Sequence, residues 1–82
     1  MSSNLSNFLL IYYCMDNIIS KRIYELRIDK NISQATLAKN IGVTQKAIDF
    51  WEKSINEPKA TYIVNLAKYF GVTTDYLLGL EN

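Results

Sequence analysis

Ser33 to Glu52 read SQATLAKNIGVTQKAIDFWE, two helical patterns set end to end with almost nothing between them. Ser33 is a good cap for a helix over Gln34 to Asn40, with Leu37, Ala38 and Ile41 on one side and Gly42 at its end. Thr44 caps the next helix at once. Only Gly42 and Val43 separate Ile41 from that cap, so the two helices must meet at a sharp angle and touch near the joint. Small and apolar residues then become obligatory at fixed places. Ala38 permits close approach and Gly42 permits a positive φ, while Leu37, Val43, Ile48 and Trp51 supply an apolar wedge. This is a helix-turn-helix pattern.

The rest of the chain from Asp16 onward carries helical punctuation and no strand pattern. Asp16 or Asn17 can cap a first helix in which Ile19, Ile23 and Leu26 recur at intervals of four and three. Asn31, a residue that tolerates a left-handed turn, can close it. Pro58 is permitted near the start of a fourth helix, whose inner stripe is read as Ile63, Val64, Ala67 and Phe70 before Gly71 stops it. Thr73 caps a short fifth helix, with Asp75 in its first turn and Leu77 and Leu78 turned inward. GVTQ and GVTT both place a glycine stop before a threonine cap, but two junctions do not make a repeat. The expected architecture is all-α, with five helices.

Length and charge narrow the possible functions. With 82 residues, the chain holds one small domain, and its 49% apolar and 21% charged residues are an ordinary globular composition. Nine Lys and Arg against eight Asp and Glu leave a formal charge of +1, too little to attract nucleic acid or membrane through bulk charge. Any such function must come from local placement. A lone Cys14 and the absence of histidine remove an internal disulfide, a zinc site and a His-based catalytic dyad from consideration. There is also no glycine-rich phosphate loop and no paired nucleophile and base, so neither an enzyme nor a bound cofactor or metal is expected. The cysteine usage suits a reducing cytoplasm.

Residues 1–15 form a separate, apolar N-terminal extension ahead of a domain over 16–82. Its run Phe8 to Met15, FLLIYYCM, is eight residues long, well short of the roughly 20 needed to span a bilayer. MSSNLSN ahead of it carries no basic residue and no small-residue cleavage site follows, which argues against a signal peptide. Either the run packs on the domain or on a partner chain, or it precedes a functional start at Met15. Packing between chains is the favoured reading, because exposed apolar runs invite aggregation. At the other end only Leu80, Glu81 and Asn82 follow the fifth helix, so ligand sensing within this chain is not expected.

At about 100° per residue the third helix divides into two sides: Gln45, Lys46, Asp49, Phe50 and Lys53 share one arc, and Ile48, Trp51 and Ile55 lie opposite. A polar helix face is most often merely solvated. Set beside the tight joint, it is what insertion into a major groove requires.

In RIYELR, ISQATLAKNIGVTQKAIDFWE, NEP and LAKYFGVTTDYLLG, held in this order and spacing from about Asn17 to Gly79, the chain resembles the Cro and phage-repressor helix-turn-helix domains, also called XRE-type. The resemblance implies a lambda-repressor-like DNA-binding domain. It also implies roles. Gln34 looks like the phosphate-binding glutamine at the start of the second helix, where donors and the helix dipole favour an anion. Thr44, Gln45, Lys46 and Asp49 match the positions that meet DNA: Gln45 suits a bidentate contact with adenine, Lys46 guanine or phosphate, and Asp49 would accept from cytosine or repel phosphate. Phe50 and Lys53 share their face. Asn56 and Lys59 fall in the loop laid along the backbone, and Arg27 and Glu52 match an ion pair bridging the first and third helices.

Three positions depart from the family pattern. Ser54 stands where glycine is usual, Phe50 where a polar or basic residue is usual, and Lys59 where a capping serine often stands. Phe50 could meet a thymine methyl or a protein partner. The expected function is sequence-specific binding of double-stranded DNA by a transcriptional repressor, as a homodimer on a palindromic operator. The alternative is a protein-interaction module on the same fold, an antitoxin- or immunity-like partner that binds DNA weakly or not at all.

Overall fold

The computed structural model describes residues 18–82. The Phe8 to Met15 run, Cys14, the Asp16 or Asn17 cap and the boundary between residues 15 and 16 lie outside the described residues. Five helices and no strand are found among them: α1 over 18–29, α2 Gln34–Ile41, α3 Gln45–Glu52, α4 Ala60–Phe70 and α5 Thr74–Leu78.

Each helix contributes one large side chain to a common centre. Ile23 of α1, Leu37 of α2, Ile48 of α3, Leu66 of α4 and Leu77 of α5 are all at most 1% exposed. Removing each from water contributes about 1.5–3 kcal/mol, so no single helix supplies the core alone. Ala38 and Ala67 let α2 and α4 come close at this centre, and Trp51 closes it with its ring centroid 5.7 Å from that of Tyr62.

The helix ends follow the punctuation of the sequence. Asn31 adopts φ 59° after α1, and Gly42, Gly71 and Gly79 take φ of 78°, 70° and 83° after α2, α4 and α5. The hydroxyls of Ser33, Thr44 and Thr73 accept hydrogen bonds from the backbone N–H groups of Thr36, Ala47 and Tyr76, satisfying donors that a helix start leaves open. Lys59 begins α4 without any side-chain cap.

Three apolar assignments need correction. The sequence pattern sets Val64 on the inner stripe of α4, but it is 41% exposed, and Leu66, absent from that stripe, is fully buried. Ile63, Leu66, Ala67 and Phe70 are spaced at three, four and seven residues and occupy one arc; Val64 lies a further 100° round the helix. Ile55 was placed opposite the polar face of α3 with Ile48 and Trp51, but it is 57% exposed. Helical projection stops applying there, because α3 ends at Glu52 and Ser54 turns the chain with φ 61°. Leu78, expected inside beside Leu77, is only half-buried.

Candidate nucleic-acid interface

The joint between α2 and α3 is built from backbone contacts that the sequence dictates. The N–H groups of Gly42 and Val43 both donate to the Ala38 carbonyl, at 2.9 and 3.0 Å, which ends α2 and turns the chain directly into the Thr44 cap. The two helices pack against each other as a result. Gln34, the first residue of α2, and Gln45, Lys46 and Asp49 of α3 together line one open hollow of about 460 Å³. Gln45 and Lys46 are exposed, and the Lys46 ammonium lies 5.6 Å from the centroid of the half-buried Phe50 ring, one turn along the same face.

Beneath this hollow runs a continuous polar chain through three helices. The Arg27 guanidinium of α1 grips Glu52 of α3 with two bonds, Nε to Oε2 at 2.6 Å and Nη2 to Oε1 at 3.0 Å, and its Nη1 donates to the Ile32 carbonyl at 2.9 Å. The two side chains are only 10% and 6% exposed. Glu52 Oε1 also accepts from Gln34 Nε2 at 3.0 Å, and the same nitrogen donates to Asp49 Oδ1 at 3.3 Å. Asp49 Oδ2 meets the Lys53 ammonium at 3.0 Å. Donating to Glu52 raises the Arg27 pKa above its ordinary value, against the opposing effect of burial. Asp49 is held below the usual carboxylate range first by Lys53 and then by Gln34.

The remaining candidate residues are dispersed. The Thr44 hydroxyl accepts from Ala47 at 3.1 Å as a cap and keeps its own proton to donate. Asn56 lines a separate cleft of about 140 Å³ with Ile19, Ser20, Ser54, Ile55, Glu57 and Pro58. Lys59 is exposed at the start of α4. Ser54 occupies its left-handed turn with the hydroxyl 2.7 Å from that of buried Ser20. That bond offsets part of the roughly 1–2 kcal/mol a non-glycine residue pays in this conformation. Reasoning from sequence missed this bond and the linkage of Gln34 to both Asp49 and Glu52. Nothing in the spacing of Ser20 could have signalled the first. For the second, the clue was available: Gln34 opens α2 beside a joint that brings α3 within reach. Among the described residues no cluster of His, Cys, Asp and Glu could hold a metal ion, and no helix is long and apolar enough to cross a membrane.

The family model described as "Helix-turn-helix" matches residues 23–77, spanning the five largest fully buried side chains and the α2–α3 joint. The chain belongs to this family. Among helix-turn-helix relatives, it is 37% identical over 68 residues to an uncharacterized HTH-type transcriptional regulator, RC0668, of Rickettsia conorii, covering 82% of this chain and 54% of that protein. It is 38% identical over 61 residues to the repressor protein C2 of Salmonella phage P22, covering 74% of this chain and 28% of the repressor. The chain thus spans about half or less of the length of these relatives. A crystal structure of the P22 c2 repressor protein in complex with a synthetic operator superposes with a TM-score of 0.73 at 36% identity, covering 77% of this chain and 96% of that one. The helix-turn-helix domain described above is therefore of the phage-repressor type, in a family of transcriptional regulators.

Proposed function

We propose that the protein is a sequence-specific DNA-binding transcriptional repressor of the cytoplasm that inserts α3 into the major groove. The observation that carries this reading is the hollow in which Gln34, Gln45, Lys46 and Asp49 converge, with Gln45 and Lys46 exposed at the start of α3. Side chains that can reach base edges must stand near the start of a helix that nothing else covers. Gln45 offers the paired donor and acceptor that match adenine, Lys46 a donor for guanine or phosphate, and Phe50 an apolar surface for a thymine methyl. Thr44 and Gln34 grip the backbone at the two helix starts, and Lys53, Asn56 and Lys59 continue along it. Residues 16–82 are the binding domain. That a relative of this fold has been crystallised with an operator supports the same use of the surface here.

One domain is not enough for specific binding. A single α3 reads only a few base pairs, and a formal charge of +1 adds little general attraction. Two copies related by a two-fold axis would set their α3 helices about 34 Å apart, one turn of DNA, over a palindromic operator. Apolar residues that could serve pairing are the Phe8 to Met15 run of the sequence and, among the described residues, the C-terminal segment, where Leu80 is 66% exposed.

Selection of bound sequences from random duplex DNA tests the reading directly. Recovery of a palindrome with half-sites one turn apart is the expected result; no enrichment, with binding to a protein partner that is indifferent to salt, would replace it with the interaction-module alternative. Sedimentation of the full chain and of one begun at Met15, each with and without the selected duplex, then locates the pairing surface.

A further inference from the structure

Two groups expected to hold phosphate are already occupied in the free protein, and one carboxylate occupies both. Gln34 Nε2 has two protons to donate, and it sits 3.3 Å from Asp49 Oδ1 and 3.0 Å from Glu52 Oε1. Carboxylates only accept, so the amide must turn its nitrogen toward them, and its carbonyl oxygen becomes the outward atom. A carbonyl oxygen repels phosphate. The Lys53 ammonium is likewise drawn to Asp49 Oδ2 at 3.0 Å. Glu52 is committed to Arg27 in a site 6% exposed, whereas Asp49 stands on the lining of the open hollow with its side chain 31% exposed.

The geometry points to Asp49 as a selectivity gate, which holds Gln34 and Lys53 back from the DNA backbone until a cytosine N4 amino group takes up its carboxylate. This rests on the DNA-binding reading above and adds a rule to it. Opposite guanine or thymine the major groove offers the carboxylate only acceptors, and opposite adenine the N6 amino group comes with the N7 acceptor beside it, so Lys53 and Gln34 are not replaced and the grip stays weak. Opposite cytosine the exocyclic amino group supplies that donor in the major groove. The carboxylate then exchanges one partner for another: the ammonium passes to phosphate, and the amide N–H that faced Asp49 is freed while Glu52 keeps the other. Base readout and backbone grip are thereby coupled through a single side chain.

The test is to measure dissociation constants of the full chain against salt, on the selected operator and on a duplex of scrambled sequence, for the wild type, Asp49→Asn, Asp49→Ser, Lys53→Gln and Asp49→Asn with Lys53→Gln. Releasing one ammonium to phosphate steepens the salt slope by about 0.9 and tightens binding about eightfold at 0.1 M salt. Asp49→Asn and Asp49→Ser are expected to gain that much on the scrambled duplex and to lose preference for cytosine at one position. Adding Lys53→Gln to Asp49→Asn should return the slope to the wild-type value, and Lys53→Gln alone should weaken binding to the selected operator. Unchanged scrambled binding in both Asp49 variants, with a wild type that still selects its operator, overturns the gate and leaves the DNA-binding reading standing. A gain that Lys53→Gln does not reverse also overturns it, in favour of simple charge repulsion. A wild type that binds no duplex at all removes both.

Discussion

The molecule contains the same helix junction twice and puts it to different ends. Gly42-Val43-Thr44 and Gly71-Val72-Thr73 share their backbone geometry: glycine at φ 78°, ψ 37° and φ 70°, ψ 33°, then threonine at φ −83°, ψ 155° and φ −83°, ψ 157°. Val43 and Val72 each donate to an alanine carbonyl at 3.0 Å, and four residues past each threonine an aliphatic side chain, Ile48 or Leu77, enters the core. Beyond that position the two diverge. Asp49 follows Ile48, and Leu78 follows Leu77; α3 runs on to Glu52, whereas α5 stops after five residues. The outer side of α5 is tied back to α1, where Arg22 stacks over the Tyr76 ring at 4.1 Å and donates to the Tyr76 and Glu81 carbonyls. The outer side of α3 lines a hollow. A tight junction therefore fixes only how two helices meet; whether a face is left for a ligand depends on the residues after it.

The largest difference between the junctions is what braces them. Only α3 stands on the Arg27–Glu52 pair, so Arg27→Ala and Glu52→Ala should each cost about 3–5 kcal/mol by leaving a buried charge alone. Urea midpoints measure this. A loss below about 0.5 kcal/mol, the size of an ordinary surface change, would mean that α3 needs no such brace.

Next in size is the contrast between Gln45 and Thr74, the first residues after the two caps. Gln45→Ala should relax preference at one base pair by about 1–3 kcal/mol, while Gln34→Ala should weaken operator binding and leave the preference at that base pair intact. Thr74→Ala should leave base preference untouched. Competition against single-base variants of the selected operator distinguishes them, and sequence-blind losses in Gln45→Ala would show that it reads no base.

The likeness of the junctions can be broken as well. A Cβ at Gly42 or Gly71 would meet nothing within 4 Å, so alanine at either should cost only the left-handed strain, about 1–2 kcal/mol, and the two losses should match. Gly79→Ala should cost more, because its Cβ would lie 2.8 Å from Ile18 Cγ2. Unequal losses at Gly42 and Gly71, by thermal or urea unfolding, would mean that the shared backbone geometry hides different strain.

The junctions were legible in the sequence because their chemistry is local. Gly42, Thr44, Gly71 and Thr73 act on backbone groups within a few residues, so residue type and order determine their geometry. The inner stripe of α4 was misread at Val64 and Leu66, where the choice between neighbouring arcs depends on where the other helices stand. Ile55 was misread because the left-handed turn at Ser54 redirects the chain after α3. The polar chain under the hollow lies furthest from sequence: Gln34 to Asp49 spans 15 residues and Arg27 to Glu52 spans 25. The second contact was suggested by resemblance, and the first only by the place of Gln34 at the start of α2, beside a joint that brings α3 within reach.

The smallest expected effect isolates Asp49 itself, the residue at which the two junctions part. Lys53, and after it Gln34, hold the Asp49 carboxyl below its ordinary pKa of 3.8 in the folded protein. A depressed carboxylate contributes stability that is present in full above the unfolded value and is lost as pH falls through the folded one. The window therefore lies below 3.8. Asp49→Asn removes the titration while keeping the shape, so the stability difference between wild type and variant should shrink as pH is lowered from about 6 to about 3. The loss is modest, because the Lys53 ammonium is 62% exposed and water screens the pair. Leu78, which holds the corresponding place after the second junction, has nothing to titrate, so Leu78→Ala should shift stability by the same amount at both pH values. Urea midpoints at the two pH values decide it. A pH-independent difference for Asp49→Asn would show that Lys53 and Gln34 do not hold the carboxylate in solution, and would leave α3 and α5 distinguished by exposure alone.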